Sequence, residues 1–160
     1  MIKSKRPATT IMLPHARAQQ LRDLAKNEAV SVVELIERFI NRAIEEGDLA
    51  DNLPDFPIWA SGMKVVCVFD NIALPALTPG TARVLADVIM GYVNLDKSQD
   101  SKPVQLRDGT ILMVRRAGRG LAIIAKDVDG SLNQASMTLQ MGRDIARQLR
   151  KQADLAESTS

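Results

Sequence analysis

The first fifty residues combine one short β-prone run with two amphipathic helix patterns, in a segment too small to bury a core of its own. The β-prone run covers residues 8–13 and ends at Pro14, a residue that can open a helix at its first turn. Apolar residues at helical spacing then predict a helix over residues 14–28. A lone strand cannot satisfy its own backbone hydrogen bonds, and two short helices bury too little surface at about 45 residues. The sequence therefore predicts a twofold dimer in which the strands of two chains pair and the second helices pack together.

Two local signals mark the start of the second helix. Ser31 with Glu34 forms a capping box, and Val30 with Leu35 forms a hydrophobic staple. Gly47 follows as a stop signal. A wide apolar stripe runs along this helix, and its members are Leu35, Ile36, Phe39, Ile40, Ala43 and Ile44.

Charge is distributed unevenly along the chain. Residues 1–26 carry six basic residues against one acidic residue, whereas residues 27–62 carry eight acidic residues against two basic ones. This asymmetry says more about partners than the net charge of +2. A basic start is by itself typical of a solvated N-terminus, so it indicates nucleic-acid binding only in combination with the motifs that follow it. Aromatic residues make up only 3% of the chain, too few for the stacking platforms that bind single-stranded nucleic acid.

A family resemblance rests on the β-prone run, the first helix and the cap of the second helix. The residues that carry it are Thr9-Thr10-Ile11-Met12-Leu13-Pro14, Leu21, Leu24, Ala25, Ser31, Glu34, Leu35 and Ile36. Together they resemble the ribbon-helix-helix family of DNA-binding proteins over residues 5–47. The resemblance implies paired strands that lie in the major groove and read bases, and a second helix whose start holds a backbone phosphate. The chain departs from the family pattern at Arg17, where leucine is usual, and at Ala29, where a turn glycine is common.

Strand alternation predicts which side chains face the DNA. Leu13, Ile11 and Thr9 should point to the core, which leaves an outward set as candidates for base contact. A slip of one residue in register would exchange the two sets. The candidate base contacts are Arg6, Ala8, Thr10 and Met12.

Phosphate contacts are expected at two places. The basic arm offers Lys3 and Lys5. The start of the second helix offers Ser31 and the backbone N–H groups of Val32 and Val33, at the positive end of the helix dipole. The ordinary alternative at Ser31 is a helix cap, so its phosphate role follows from the family resemblance.

The remainder of the chain predicts a second domain. Residues 48–62 contain prolines and aspartates without a sustained period and are typical of a linker. After the linker the sequence predicts four further parts. They are a buried strand from residue 63, a helix that begins at Thr78 and Pro79, an antiparallel meander over residues 104–126 and a helix over residues 136–153. The predicted fold class is an N-terminal ribbon-helix-helix over residues 1–47, then a small α+β domain over 63–153 with an antiparallel sheet and two helices. Residues 154–160 are expected to form a flexible tail.

Several kinds of chemistry are excluded by composition. With one cysteine, Cys67, and one histidine, His15, the chain has no internal disulfide, no Cys/His zinc cluster and no histidine-based triad. We therefore expect no catalytic residue, no metal and no cofactor, and we interpret Cys67 as a small core residue. The apolar runs are too short for a membrane helix and no signal peptide is evident, so the protein is expected to be cytoplasmic with no membrane partner.

These features predict a sequence-specific regulator that binds double-stranded DNA, a transcriptional repressor that acts as a homodimer or a higher-order assembly. The second domain would bind itself, an effector or a protein partner. One alternative keeps the DNA contact in a plasmid partition protein, a DNA-transfer accessory protein or an antitoxin. Another assigns small-molecule binding or catalysis to the second domain and leaves the N-terminal part only to dimerise.

Overall fold

A computed structural model describes residues 9–70, 72–94 and 103–159 of the 160-residue chain. The chain divides into two units at a boundary after Asp51. We refer to the described residues before this boundary as the N-terminal unit and to those after it as the C-terminal unit.

Two helices make up the N-terminal unit, α1 (His15–Asn27) and α2 (Val32–Glu45). Ser31 caps α2, because its Oγ accepts a hydrogen bond from the Glu34 backbone N–H at 3.1 Å. After α2 the chain turns at Gly47, whose φ of +84° lies in the region that glycine adopts at little cost. The two helices and the cap predicted from the sequence are confirmed.

The predicted opening strand is not formed, so the predicted fold class is wrong for the start of the chain. Described residues 9–13 belong to no strand, and the first elements that the structure describes are α1 and α2. The strand–helix–helix order of a ribbon-helix-helix unit is therefore not observed; Ala8, where the strand was predicted to begin, lies outside the described residues. The physical reason is that β-prone residues form a strand only beside another strand, and no described strand of this chain pairs with residues 9–13.

The C-terminal unit is a mixed α+β fold whose sheets are antiparallel. Its strands are β1 (Ile58–Ser61), β2 (Lys64–Phe69), β3 (Ile72–Ala73), β4 (Val104–Gln105), β5 (Ile111–Ala117), β6 (Gly120–Lys126) and β7 (Leu132–Thr138). Three of them form one sheet in the order β1-β2-β3, and four form another in the order β4-β5-β6-β7. Two helices, α3 (Pro79–Val93) and α4 (Leu139–Ser158), complete the unit.

Three elements of the C-terminal unit, β1, β7 and α4, differ from the sequence prediction. β1 lies in the segment interpreted as a linker and pairs with β2, with Ile58 opposite Cys67. β7 was not predicted, and it occupies residues assigned in part to the last helix. α4 begins after Thr138, whose Oγ1 accepts a hydrogen bond from the Met141 N–H at 3.1 Å, and it continues to Ser158, past the predicted end at residue 153.

One hydrophobic core joins the inner faces of the strands to α3 and α4. Val65 of β2, Leu112 of β5 and Leu121 of β6 are buried in it. Gly142 lets α4 approach the sheet closely, because a Cβ at that position would lie 2.7 Å from Leu121 Cδ1 and 3.3 Å from Val93 Cγ2. The two helices and one face of the sheets therefore form a two-layer unit.

Gly120 is the position in this unit where the lack of a side chain matters most. A Cβ at Gly120 would overlap the backbone carbonyl of Met137 in the neighbouring strand β7. Backbone cannot move aside as a side chain does, so we expect Gly120→Ala to lower the free energy of unfolding by about 1–3 kcal/mol.

Urea unfolding followed by circular dichroism measures this effect. Gly80→Ala is the matched control, because a Cβ there, in the first turn of α3, meets only Thr78 Oγ1 at 4.0 Å. This control should leave the stability unchanged or raise it slightly. Equal free energies of unfolding for the two variants would show that β7 does not approach Gly120 this closely.

Candidate functional site

The candidate base contacts fall at the start of the chain, and the structure describes two of them. Thr10 and Met12 lie in the segment before α1, and both side chains are exposed, Met12 to 92%. Arg6 and Ala8 lie outside the described residues, as do the predicted phosphate contacts Lys3 and Lys5. The exposure of Thr10 and Met12 leaves them accessible to a partner.

The inward set of the predicted strand is not buried within the chain. Ile11 is 72% exposed and Leu13 is 45% exposed, although alternation had assigned both to a core. Side chains on both sides of the segment are thus exposed to solvent. The predicted alternation of buried and exposed side chains is therefore not observed in residues 9–13.

The other candidate site is the start of α2. Ser31 is in extended conformation and its side chain caps the N–H of Glu34, while the N–H groups of Val32 and Val33 have no acceptor inside the helix. Val33 is exposed and Val32 is half-buried. The geometry matches an ordinary helix cap that also presents two N–H groups at the positive end of the helix. Among the described residues, no hydrogen bond or ion pair joins this position to Thr10 or Met12.

Charges near the start of α2 are arranged around Arg38. Its guanidinium contacts Glu28 Oε2 at 3.1 Å and Glu34 Oε1 at 3.2 Å, so it links the end of α1 to the first turn of α2. Glu34 therefore pairs with Arg38 instead of completing the capping box with the Ser31 backbone. Sequence reasoning missed this bridge, for which the four-residue spacing of Glu34 and Arg38 was the available signal.

The N-terminal unit leaves most of its apolar surface uncovered. Of its described residues, only Ala25 and Leu35 are buried. Within the predicted stripe of α2, Phe39 is 48% exposed and Ile40 is 44% exposed. Ile11 and Leu13 are exposed as well, so the unit leaves apolar side chains uncovered both before α1 and on α2, and it has almost no core of its own.

Cys67 does not have the properties of a reactive thiol. It is fully buried in β2, and burial raises the pKa of its thiol to about 12, so the thiolate is scarce at neutral pH. The prediction that Cys67 is a core residue is confirmed. Over residues 9–70, 72–94 and 103–159, no three His, Cys, Asp or Glu side chains group closely enough to hold a metal ion.

The aspartate-rich turn between β6 and β7 is held by its own side chains. Asp129 Oδ1 accepts hydrogen bonds from the Ser131 N–H at 2.8 Å and from its Oγ at 2.6 Å. These hydrogen bonds hold the pKa of Asp129 below its usual value. The segment is therefore a turn that is stabilised by hydrogen bonds within it.

Comparisons with protein-family models, with curated proteins and with solved structures found no match to the chain. Within its described part, no helix combines the length and the apolar character needed to cross a bilayer.

Ala29, between the two helices, has a φ of +55°, in the left-handed region that favours glycine. The sequence had marked this position, because a glycine is common there in the family that the chain resembles. We expect Ala29→Gly to raise the free energy of unfolding of the N-terminal unit by about 0.5–1 kcal/mol, since the relief of backbone strain exceeds the added chain entropy.

The loss of the helical signal at 222 nm on heating or in urea measures this gain. Ala16→Gly is the matched control, because Ala16 is exposed in the first turn of α1, where a glycine should lower the stability only slightly. A loss of stability in Ala29→Gly as large as in the control would contradict a left-handed conformation at this position.

Proposed function

We propose that the protein is a dimeric transcriptional regulator, a repressor, that binds double-stranded DNA through its N-terminal unit. The observation that carries the proposal is the combination, in one small unit, of a basic start with an apolar surface that the chain itself does not cover. The C-terminal unit then serves in further assembly, effector binding or contact with a partner.

The apolar surface of the N-terminal unit supports the homodimer. Full burial of a side chain such as Phe39 or Ile40 contributes about 1.5–3 kcal/mol. A second copy of the chain presents the same residues, so a twofold axis would bring apolar surface onto apolar surface. The occupant of this surface is therefore proposed to be a second copy of the N-terminal unit.

Charge and motif support DNA as the ligand of that dimer. Arg17, Arg22 and Lys26 are exposed on α1, and Lys3, Lys5 and Arg6 precede it in the sequence. Such residues neutralise phosphates and make affinity depend strongly on salt. The sequence resemblance to DNA-binding proteins over residues 5–47 adds a reason to choose DNA over other polyanions.

Discrimination between DNA sequences is assigned to four side chains before α1, of which Thr10 and Met12 are exposed, while Arg6 and Ala8 lie outside the described residues. The Thr10 hydroxyl can donate a hydrogen bond to a base edge or accept one from it. Met12 and Ala8 can pack on a thymine methyl group, and Arg6 can pair with guanine. Two copies of these residues in a dimer would read two half-sites. Contacts to phosphate fix the position of the protein, whereas contacts to bases set its preference.

Binding of the purified protein to duplex DNA from its own upstream region, against a random duplex, tests the DNA contact. We expect Thr10→Val to lower the preference for the upstream DNA by about tenfold, because a base contact is lost. Lys3→Ala with Lys5→Ala should weaken binding to both duplexes and reduce its dependence on salt, because both side chains are assigned to phosphate. Fluorescence anisotropy at two salt concentrations measures both effects.

Thr9→Val and Ser31→Asp are informative companions in the same assay. Thr9→Val removes the neighbouring exposed hydroxyl, so a loss of preference that is confined to Thr10→Val would assign the base contact to Thr10. Ser31→Asp keeps a good helix cap but places a negative charge at the proposed phosphate contact, so it should weaken binding to both duplexes without unfolding α2. Equal losses on both duplexes for Thr10→Val would count against the assignment of Thr10.

The dimer is tested by the double variant Phe39→Ser and Ile40→Ser, which removes apolar side chains from the exposed part of α2. We expect this variant to sediment as a monomer, to lose helical signal and to bind DNA far more weakly, because the two-helix unit then has no partner to pack against. Analytical ultracentrifugation and circular dichroism measure the outcome.

Val84→Ser is the matched control for the dimer. Val84 is 51% exposed on α3 in the C-terminal unit and should be dispensable. A dimer that persists in the Phe39→Ser and Ile40→Ser variant would refute α2 as the dimer interface.

A further inference from the structure

One face of the sheet in the C-terminal unit is not packed on the helices. Along β5 and β6, Leu112 and Ile123 point into the core, whereas Met113 and Ile124 lie on the opposite side, directly across from each other. Neither Met113 nor Ile124 packs against the core, and both side chains are half-buried. We call this side of β5, β6 and β7 the open face; it also presents Ile111, Arg115, Lys126 and Gln134.

The charges on the open face all have one sign. Arg115 lies two residues beyond Met113 on β5, and Lys126 lies two residues beyond Ile124 on β6, so cations stand at both ends of the apolar centre. Arg115 Nη2 donates to Gln134 Oε1 at 3.1 Å, which holds the guanidinium across the sheet. Over the described strands of both sheets there are cations but no carboxylate.

On the helical side of the same unit, several cations are paired with carboxylates between α3 and α4. Arg83 of α3 contacts Asp154 and Glu157 of α4, each at 2.7 Å. Arg150 of α4 contacts Asp87 of α3 at 2.7 Å. These ion pairs bridge the two helices, whereas the described residues provide no ion pair for Arg115 or Lys126 on the open face.

We propose that the open face binds an acidic amphipathic helix of a partner protein. The apolar stripe of that helix packs on Ile111, Met113 and Ile124, and its carboxylates meet Arg115 and Lys126. The dimensions agree, since the seven-residue strand β5 spans about 23 Å and a helix of about 16 residues spans about 24 Å.

Charge and chemistry select this occupant over two others. A second copy docked by the same face would bring cations against cations at both ends of the contact, which opposes association. A nucleic acid would place its phosphates over the apolar centre, and the three central side chains include no aromatic ring for bases to stack on. An acidic protein segment satisfies both the apolar centre and the cationic ends.

The test uses the full-length protein and a fluorescent helical peptide of about 18 residues, with leucine on one face and glutamate on the other. The matched peptide has lysine in place of each glutamate. We expect only the glutamate peptide to bind, and its affinity to fall as salt increases, because the ionic contacts are screened. In methyl NMR spectra the Met113 signal should shift on binding, while the signal of Met12 in the N-terminal unit should not.

Variants of the open face complete the experiment. Arg115→Glu with Lys126→Glu should reduce the affinity for the glutamate peptide by about tenfold or more, and Met113→Ser should also weaken it. The control variants Arg143→Glu and Val84→Ser change exposed residues of α4 and α3 and should leave the affinity unchanged. Circular dichroism establishes that each variant is folded.

Three results would overturn the proposal. The first is that neither peptide binds, or that both bind equally. The second is that the open-face variants bind the glutamate peptide as well as the unchanged protein does. The third is that the Met113 signal shifts with duplex DNA or with protein concentration alone, which would assign the face to nucleic acid or to a second copy.

Discussion

The packing of α3 and α4 onto one face of the sheets is the interaction on which the C-terminal unit depends. Gly142 permits this contact, because α4 can approach Leu121 and Val93 only where no side chain intervenes. The core uses one face of each long strand, so the alternation of a β-strand necessarily leaves the other face outside it. The apolar character of Met113 and Ile124 on that outer face is therefore not required by the core.

The N-terminal unit has no comparable core, and its described structure rests on local interactions. Ser31 caps α2, and Arg38 joins Glu28 to Glu34 across the turn between the helices. A cap contributes about 1 kcal/mol and an exposed ion pair less than that, whereas two short helices need tertiary contacts to be stable. Of the described side chains of this unit only Ala25 and Leu35 are buried, so it has little tertiary packing to stabilise the two helices. This lack of buried surface is the reason for proposing a dimer through the N-terminal unit, which is also the unit that carries the proposed DNA contact.

Local signals decided how much of the fold could be predicted from the sequence. Caps, turn glycines and apolar periodicity gave the helices and the β5–β6 hairpin, and a continuous apolar run gave β2. β7 was missed because Asn133, Gln134 and Ser136 interrupt its apolar pattern, and only its pairing with β6 makes it a strand. The opening strand failed for the opposite reason: residues 9–13 have β propensity, but no strand in the described part of the chain pairs with them. Thr10 and Met12 are exposed, but so are Ile11 and Leu13, so the predicted alternation, which needs a neighbouring strand, is not observed, and the assignment of the base contacts stays a prediction.

The two units present surfaces that call for different partners. Around α2 the uncovered residues Phe39 and Ile40 are apolar, and the nearby charges of Arg38, Glu28 and Glu34 are already paired with one another, which suits a self-complementary contact. On the open face the apolar residues lie between unpaired charges of one sign, which repels a copy of the same surface and attracts an acidic one. The surface around α2 suits an apolar partner, whereas the open face suits a partner with negative charge, so the two surfaces favour different partners. A chain built like this can bind a second copy through one unit while the other unit remains available for a different macromolecule.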